Sequence, residues 1–171
     1  MFRQVLEDHG GAFPVCMTAD SRYKLFVNGQ LLHFGPAKGD DKLFFYDRID
    51  LEPWLKDGKN ALCVSVLHYP ADGEKGNHSL FRSKHPGLWT EGPGLNPWRC
   101  RANPYVRFYA EEERFAPLQI HEQAGTDSSL SGWLHPDYDD SSWPEAEPIP
   151  ASELLPSQSP ACLQPRTVPF A

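Results

Sequence analysis

Two groups of acidic residues have the side chains best suited to chemistry, because paired carboxylates can transfer protons or bind a hard cation. One is the run of glutamates at residues 111–113, a pattern typical of a solvated strand edge. The other is Asp137, Asp139 and Asp140, just before Ser141 and Trp143. Their spacing favours a turn that bonds its own backbone N–H groups, with calcium binding as the alternative. We therefore predict no catalytic residue and no metal.

Histidine and cysteine are spaced too widely for a metal site or a redox motif. The seven histidines include no His-x-x-x-His pair, and the four cysteines lie far apart at Cys16, Cys63, Cys100 and Cys162. Free, packed thiols are expected, which favours a reducing compartment. Residues 1–15 lack a signal-peptide pattern, so a cytoplasmic location is favoured, and no cofactor is predicted.

Overall charge and hydropathy exclude two classes of partner. The formal net charge is −7, and the sequence contains no basic stripe of the kind that nucleic-acid binding requires. No stretch of about 18 apolar residues could span a bilayer. We predict no nucleic-acid and no membrane partner, and a chain of 171 residues is long enough to bury a sizeable core.

Aromatic residues near one long segment are the remaining candidates for binding. The segment from Pro70 to Arg99 has little strand pattern, and loops longer than about 15 residues usually have a function. A partly exposed Trp can pack on the apolar face of a sugar or contact another domain. The predicted contact residues are His68, Tyr69, Trp89, Trp98 and Arg99. Two other tryptophans, Trp54 and Trp143, are predicted to lie in the core.

The elements that must position these residues begin with a β-hairpin at Asn28 and Gly29. Asn-Gly between two alternating runs favours a type I′ turn, since both residues tolerate positive φ. A two-residue loop would place Leu25 opposite Leu32 and Tyr23 opposite Phe34. Alternation then predicts that one face packs into the core, with Tyr23, Leu25, Val27, Leu32 and Phe34. The other face is mixed and carries Arg22, Lys24, Phe26, Leu31 and His33.

Further strand-like runs cover residues 42–49, 61–68, 105–110 and 118–122, and the second of these is apolar on both faces, as in a central strand. No helical periodicity persists, and 17 prolines and 13 glycines interrupt the chain. The sequence predicts an all-β fold, an antiparallel β-sandwich, over residues 1–148. Residues 149–171 are rich in Pro and Ser and are predicted to form a connector towards a downstream domain.

Several of these motifs occur in the order found in a known family. They are ADSRYKLFVNG (19–29), GPAKGD (35–40), YDRIDLEPWLKDGKNALCVSVLHY (46–69), WRCR (98–101), YDDSSWPEA (138–146) and LQPRTVP (163–169). Together they resemble the N-terminal portion of bacterial α-L-rhamnosidases, which are glycoside hydrolases. The strand, Asn-Gly, strand part also resembles the sugar-binding jelly-roll domain of the β-galactosidase and β-glucuronidase superfamily.

This resemblance implies a galactose-binding-domain-like jelly roll that precedes a catalytic (α/α)₆ barrel. The chain is then expected to be a fragment that lacks the barrel, inactive by itself, with the barrel as its partner and the role of orienting or shielding it. The alternative is an independent carbohydrate-binding module with weak sugar affinity. An autonomous enzyme is the least favoured hypothesis, because the carboxylate candidates are weak.

Overall fold

The computed structural model describes residues 1–7, 10–37, 39, 42–68, 85–110, 120–125 and 130–168. One sheet contains β1 (Phe2–Glu7), β3 (Arg22–Val27), β4 (Gln30–Gly35), β6 (Lys59–Leu67) and β8 (Arg99–Cys100), in the spatial order β4-β3-β6-β1-β8. The other contains β2 (Pro14–Asp20), β5 (Phe45–Asp50), β7 (Gly87–Glu91) and β11 (Gln164–Pro165), in the order β11-β5-β2-β7. A separate hairpin joins β9 (Val106–Ala110) to β10 (Ile120–Ala124).

The predicted all-β antiparallel sandwich is confirmed. Described strand pairs are antiparallel apart from the short parallel pair of β11 with β5. Strand β6 lies between β3 and β1, so the prediction of a central strand at 61–68 is also confirmed. Within the described parts of the chain, no helix is long and apolar enough to cross a membrane.

The hydrophobic core lies between the two sheets. Leu25 and Val64 of the first sheet and Val15 and Met17 of the second belong to one cluster of fully buried side chains. Each alternates along its strand with residues on the opposite face, as the period of two in a β-strand requires. At about 1.5–3 kcal/mol for each buried aliphatic side chain, this cluster provides the main favourable free energy of folding.

The hairpin turn is joined to the start of β6 by two asparagines. Asn28 and Gly29 have φ of 50° and 86°, as a type I′ turn needs. The Asn28 side chain accepts a bond from the Ala61 N–H at 2.9 Å and donates to Asn60 Oδ1 at 2.7 Å. Asn60 is fully buried, and its amide also bonds the backbone of residues 56 and 58. The conformation predicted for the Asn-Gly pair is therefore present and supported by tertiary contacts.

The predicted hairpin register is wrong beyond Leu31. The register shifts by one residue there, so Leu25 lies opposite His33 and Tyr23 lies opposite Gly35. The physical reason is a β-bulge, which adds one residue to β4 and reverses the faces of the residues that follow. Phe34, predicted to be in the core, is 55% exposed and Leu32 is half-buried, whereas His33 turns to the core face.

The outer face of the first sheet is partly covered by residues 130–143. Arg3 is fully buried there, and its guanidinium donates to the backbone carbonyls of Trp133, His135 and Pro136 and to the carboxylate of Asp140. The Trp143 side chain is 1% exposed, as predicted, and its ring stacks on Trp133. Buried Arg3 thus fixes a segment more than 125 residues away in sequence.

Two predictions about the loops need correction. Trp54 is 39% exposed rather than buried, because it ends a single 3-10 turn, Glu52–Trp54, whose buried neighbour is Leu51. The segment from Pro70 to Arg99 is not free of strands, since it contains β7 and the first residue of β8. Pairing with β2 stabilises β7, a tertiary contact without a local sequence signal. Residues 70–84 lie outside the described part of the chain.

Residues 149–168, predicted to be an extended connector, lie against the second sheet. Leu163 is buried, and the Gln158 side chain donates to Asp20 at 3.0 Å. The N–H groups of Gln164 and Arg166 donate to the carbonyls of Phe44 and Tyr46, so this segment extends the sheet. The domain boundary at residue 148 stays a prediction.

Replacing Leu25 by Asp should unfold the domain, because the side chain is 0% exposed and a charge there would lack a partner. The expected cost is several kcal/mol, a large part of the stability of an ordinary domain. Thermal unfolding followed by circular dichroism measures it. The control is Lys24→Gln on the adjacent exposed position, which should melt like the wild type. Equal melting of both variants would contradict the core assignment.

Candidate functional site

A cleft of about 850 Å³ lies where β3 begins and β6 ends. Lys24 and Ser65, which pair in the register of these strands, contribute to its floor. Arg101 and Asn103 line one side, and Phe34 lines another. Volumes of about 300–1,000 Å³ are usual for ligand sites, so the cleft is large enough for a small molecule or a short oligosaccharide.

A smaller cavity of about 320 Å³ lies between the second sheet and the C-terminal segment. It is lined by Trp89 and Leu88 of β7, Thr18 and Asp20 of β2, and Leu154. The Thr18 side chain is buried, and its hydroxyl has no hydrogen-bond partner among the described residues. The cavity lining combines an aromatic side chain with polar side chains such as Gln158, which is the arrangement that sugar binding uses.

The predicted contact residues lie in separate places. His68 lines the large cleft, with Nδ1 3.5 Å from Asp20 Oδ1, and Trp89 lines the small cavity. Arg99 donates to the Trp143 carbonyl at 2.8 Å and lies 3.8 Å from Asp140, so it supports segment 130–143. Tyr69 lies outside the described residues.

The two candidate tryptophans do not share a face. Trp89 packs edge-on against Tyr46, and the next residue, Thr90, points to the opposite side of the sheet. Trp98 donates its indole N–H to Thr90 at 2.9 Å and packs against the core cluster. Both side chains are half-buried. They therefore cannot stack on one sugar together.

Two of the three candidate calcium ligands have other roles. Asp140 pairs with Arg3 and Arg99, and Asp139 accepts the Ser141 N–H at 2.9 Å. Hydrogen bonds from Ser141 lower the pKa of Asp139. Asp137 is exposed. Among the described residues, no three His, Cys, Asp or Glu side chains are grouped to hold a metal ion. The turn predicted for this segment is thus present at Asp139.

Beside the large cleft lies a buried carboxylate, Asp47, that sequence reasoning missed. It accepts the Tyr23 hydroxyl at 2.5 Å and lies 2.5 Å from Arg166 Nε. His33 Nε2, brought to this face by the β-bulge, is 3.5 Å away. A Cβ on Gly35 would lie 2.2 Å from Asp47 Oδ2, so only glycine fits there. The sequence signal that could have identified this site is the acidic Asp47 within the apolar strand-like run of residues 42–49.

Burial raises two pKa values in this region of the first sheet. The pKa of Tyr23 rises strongly because its hydroxyl is buried and lies next to the negative charge of Asp47. Burial raises the pKa of the Cys63 thiol to about 12, although the nearby Arg3 lowers it. Cys63 is therefore an inert packed thiol, and it is one of four free cysteines, as predicted.

Comparison with known proteins gives one consistent relationship. No protein-family model matches the chain, and no curated protein sequence matches it either. Among solved structures, the GH78 family rhamnosidase of Bacillus sp. GL1 is similar over 99% of this chain, with 28% identity and a TM-score of 0.71. The resemblance to rhamnosidases inferred from the sequence motifs is thus confirmed in three dimensions.

More distant structures share the fold. The α-L-rhamnosidase of Streptomyces avermitilis, solved with L-rhamnose, matches 84% of this chain at 21% identity and a TM-score of 0.60. That of Aspergillus terreus matches 90% at 19% identity and a TM-score of 0.59. This chain spans 18% of the Bacillus protein, 15% of the Streptomyces protein and 20% of the Aspergillus protein.

Alkaline pH should destabilise the protein through Tyr23 and Cys63. Their ordinary pKa values are 10.0 and 9.0, and both are raised by folding, so the stability they contribute is complete below about pH 9 and is lost as pH rises. Urea unfolding at several pH values between 7 and 11 measures this slope. Tyr23→Phe and Cys63→Ala should each flatten it, with exposed Cys162→Ala as the matched control. Slopes identical to that of the wild type in both variants would contradict the assignment of the alkaline loss of stability to Tyr23 and Cys63.

Proposed function

We propose that this chain, which is similar over nearly all of its length to part of a GH78 rhamnosidase, is a non-catalytic domain of an α-L-rhamnosidase-like glycosidase. The observation that carries the proposal is the coverage: 99% of this chain matches only 18% of the longer enzyme. A stretch of that size corresponds to one domain of the enzyme. The domain would orient or shield a catalytic (α/α)₆ barrel elsewhere in the parent protein.

The surroundings of Asp47, Asp139 and Asp140 support a non-catalytic role. A glycosidase needs two carboxyl groups across the sugar, one of them with a raised pKa so that it can donate a proton. Asp140 is paired with two arginines, and Asp47 is enclosed by Tyr23 and Arg166. The pKa of Asp139 is shifted downwards, the wrong direction for a general acid.

The packing of the C-terminal segment supports the orienting role. Arg166 is paired with Asp47, and the segment before it is hydrogen-bonded to the edge of the second sheet. A domain that follows through such a segment would be held in a defined direction, whereas a flexible linker would let it rotate. In the proposal, the segment is a rigid connection that fixes the orientation of the catalytic domain.

An independent carbohydrate-binding module is the second candidate. It is favoured by the small cavity, whose lining combines the Trp89 ring with polar residues such as Gln158. Binding through one aromatic ring and few polar atoms would be weak, about −4 to −8 kcal/mol, which is millimolar to micromolar affinity.

An activity assay tests the non-catalytic role. The purified chain is incubated with an aryl α-L-rhamnoside and a panel of other aryl glycosides, and the release of the aryl alcohol is recorded. We expect no turnover above the blank. Turnover that persists through purification and disappears in Asp139→Asn or Asp140→Asn would contradict the proposal.

The sequence of the gene tests whether this chain is part of a longer glycosidase. We expect the natural reading frame to continue past the codon for Ala171 into a long region with repeated helical periodicity, as an (α/α)₆ barrel requires. A natural stop codon directly after Ala171 would contradict the proposed parent enzyme. This outcome is separate from that of the activity assay.

A further inference from the structure

Three cationic side chains lie together on the large cleft. Lys24 pairs with Ser65, and Phe2 pairs with both Val64 and Cys100, so residues 24, 65, 1 and 101 form one row across four strands. The backbone bond from the Arg101 N–H to the Met1 carbonyl, at 3.0 Å, completes this row. Residues in one such row share a face of the sheet. Arg22 precedes Lys24 by two residues and therefore lies on the same face.

The dimensions of the sheet set the spacing of these charges. Strands lie about 4.8 Å apart, so the Cα atoms of Lys24 and Arg101 are separated by roughly 14 Å. Arg22 and Lys24 are separated by roughly 7 Å along β3. The three cations, which all line the cleft, span a length suited to an extended ligand with several charges rather than to a single small ion.

None of the three cations is neutralised within the described part of the structure. Arg22 and Lys24 make no ion pair or side-chain hydrogen bond with any residue there. Arg101 places its guanidinium over the Trp143 ring, 5.7 Å from the centroid, and likewise has no carboxylate partner. Glu147 is the one acidic side chain among the described residues that line the cleft. The whole chain has a net charge of −7, so this local excess of positive charge is unusual.

The remaining surface of the cleft suits a sugar ring. Phe34 is 55% exposed and lines the cleft beside Lys24, so it offers an apolar face. Asn103 and Ser65 provide an amide and a hydroxyl that can bond sugar hydroxyl groups. Aromatic and polar groups of this kind, together with a volume of about 850 Å³, fit two or three sugar units.

We propose that this cleft binds an acidic oligosaccharide, one whose sugars carry carboxylates, with Arg22, Lys24 and Arg101 pairing with those carboxylates. Arginine and lysine form charge-assisted hydrogen bonds with carboxylates, and the apolar and amide groups fix the sugar rings between them. The inference rests on the proposed function only in taking the ligand to be a carbohydrate. It places binding on the large cleft, away from Trp89.

Titration calorimetry of the full chain tests the proposal. The probe is tri-galacturonic acid, and its methyl ester is the matched neutral ligand. Arg22→Gln/Lys24→Gln removes two charges from the cleft, and Lys56→Gln/Lys59→Gln removes two exposed charges elsewhere, outside the residues that line the cleft. All variants are first checked for wild-type circular dichroism and melting.

We expect the acid to bind and the ester not to bind. The cleft variant should weaken binding at least about tenfold, while the control variant should stay within about twofold, since exposed charges more than a Debye length away are screened. Raising the salt concentration should weaken binding by the wild type. Comparison of the two double variants therefore distinguishes specific binding at the cleft from an effect of the overall charge of the protein.

Three results would overturn the proposal. They are equal binding of the ester, equal losses in the two double variants, and displacement of tri-galacturonic acid by an equal concentration of inorganic phosphate. The last would identify a general anion site. None of these results bears on the aryl-glycoside assay or on the reading frame, so failure here is distinguishable from failure of the proposed function.

Discussion

The buried carboxylate of Asp47 joins the three parts of the structure. It lies on β5 of the second sheet, accepts the hydroxyl of Tyr23 on the first sheet, and pairs with Arg166 of the C-terminal segment. A buried charge is tolerated only when it is paired, and removal of one partner typically costs about 3–5 kcal/mol. The need for glycine at position 35 follows from this carboxylate, and the carboxylate also holds Arg166 of the C-terminal segment against the two sheets.

Local signals in the sequence predicted local structure well. The Asn-Gly turn, the central strand at 61–68 and the buried Trp143 were predictable, because backbone geometry and apolar runs determine them directly. The β-bulge in β4 was not predictable, since the residue that it brings to the core face, His33, lies near Asp47 of the other sheet, outside the hairpin. Because the bulge was not predicted, Phe34 was assigned to the core face, whereas it lies on the outer face.

The candidate site was harder to predict than the fold. The charged row depends on pairing among four strands, and Arg22 and Lys24 were seen only as a mixed hairpin face. The sequence pattern directed attention to Trp89 and Trp98, which the sheet separates onto opposite faces. Distances between residues far apart in sequence are set by topology, and a single sequence contains little direct information on topology.

The central claim is that the C-terminal segment is part of the folded domain, so that a domain following it, as proposed, would be held in a fixed direction. Native-state hydrogen exchange of the Gln164 and Arg166 amides, which donate to Phe44 and Tyr46, tests it most directly. We expect these amides to exchange with nearly the same free energy of opening as the amides of β6, within about 1 kcal/mol. Exchange at a free energy of opening several kcal/mol lower would show that the segment opens independently of the sheets. That result would contradict the claim that the segment is a rigid part of the domain.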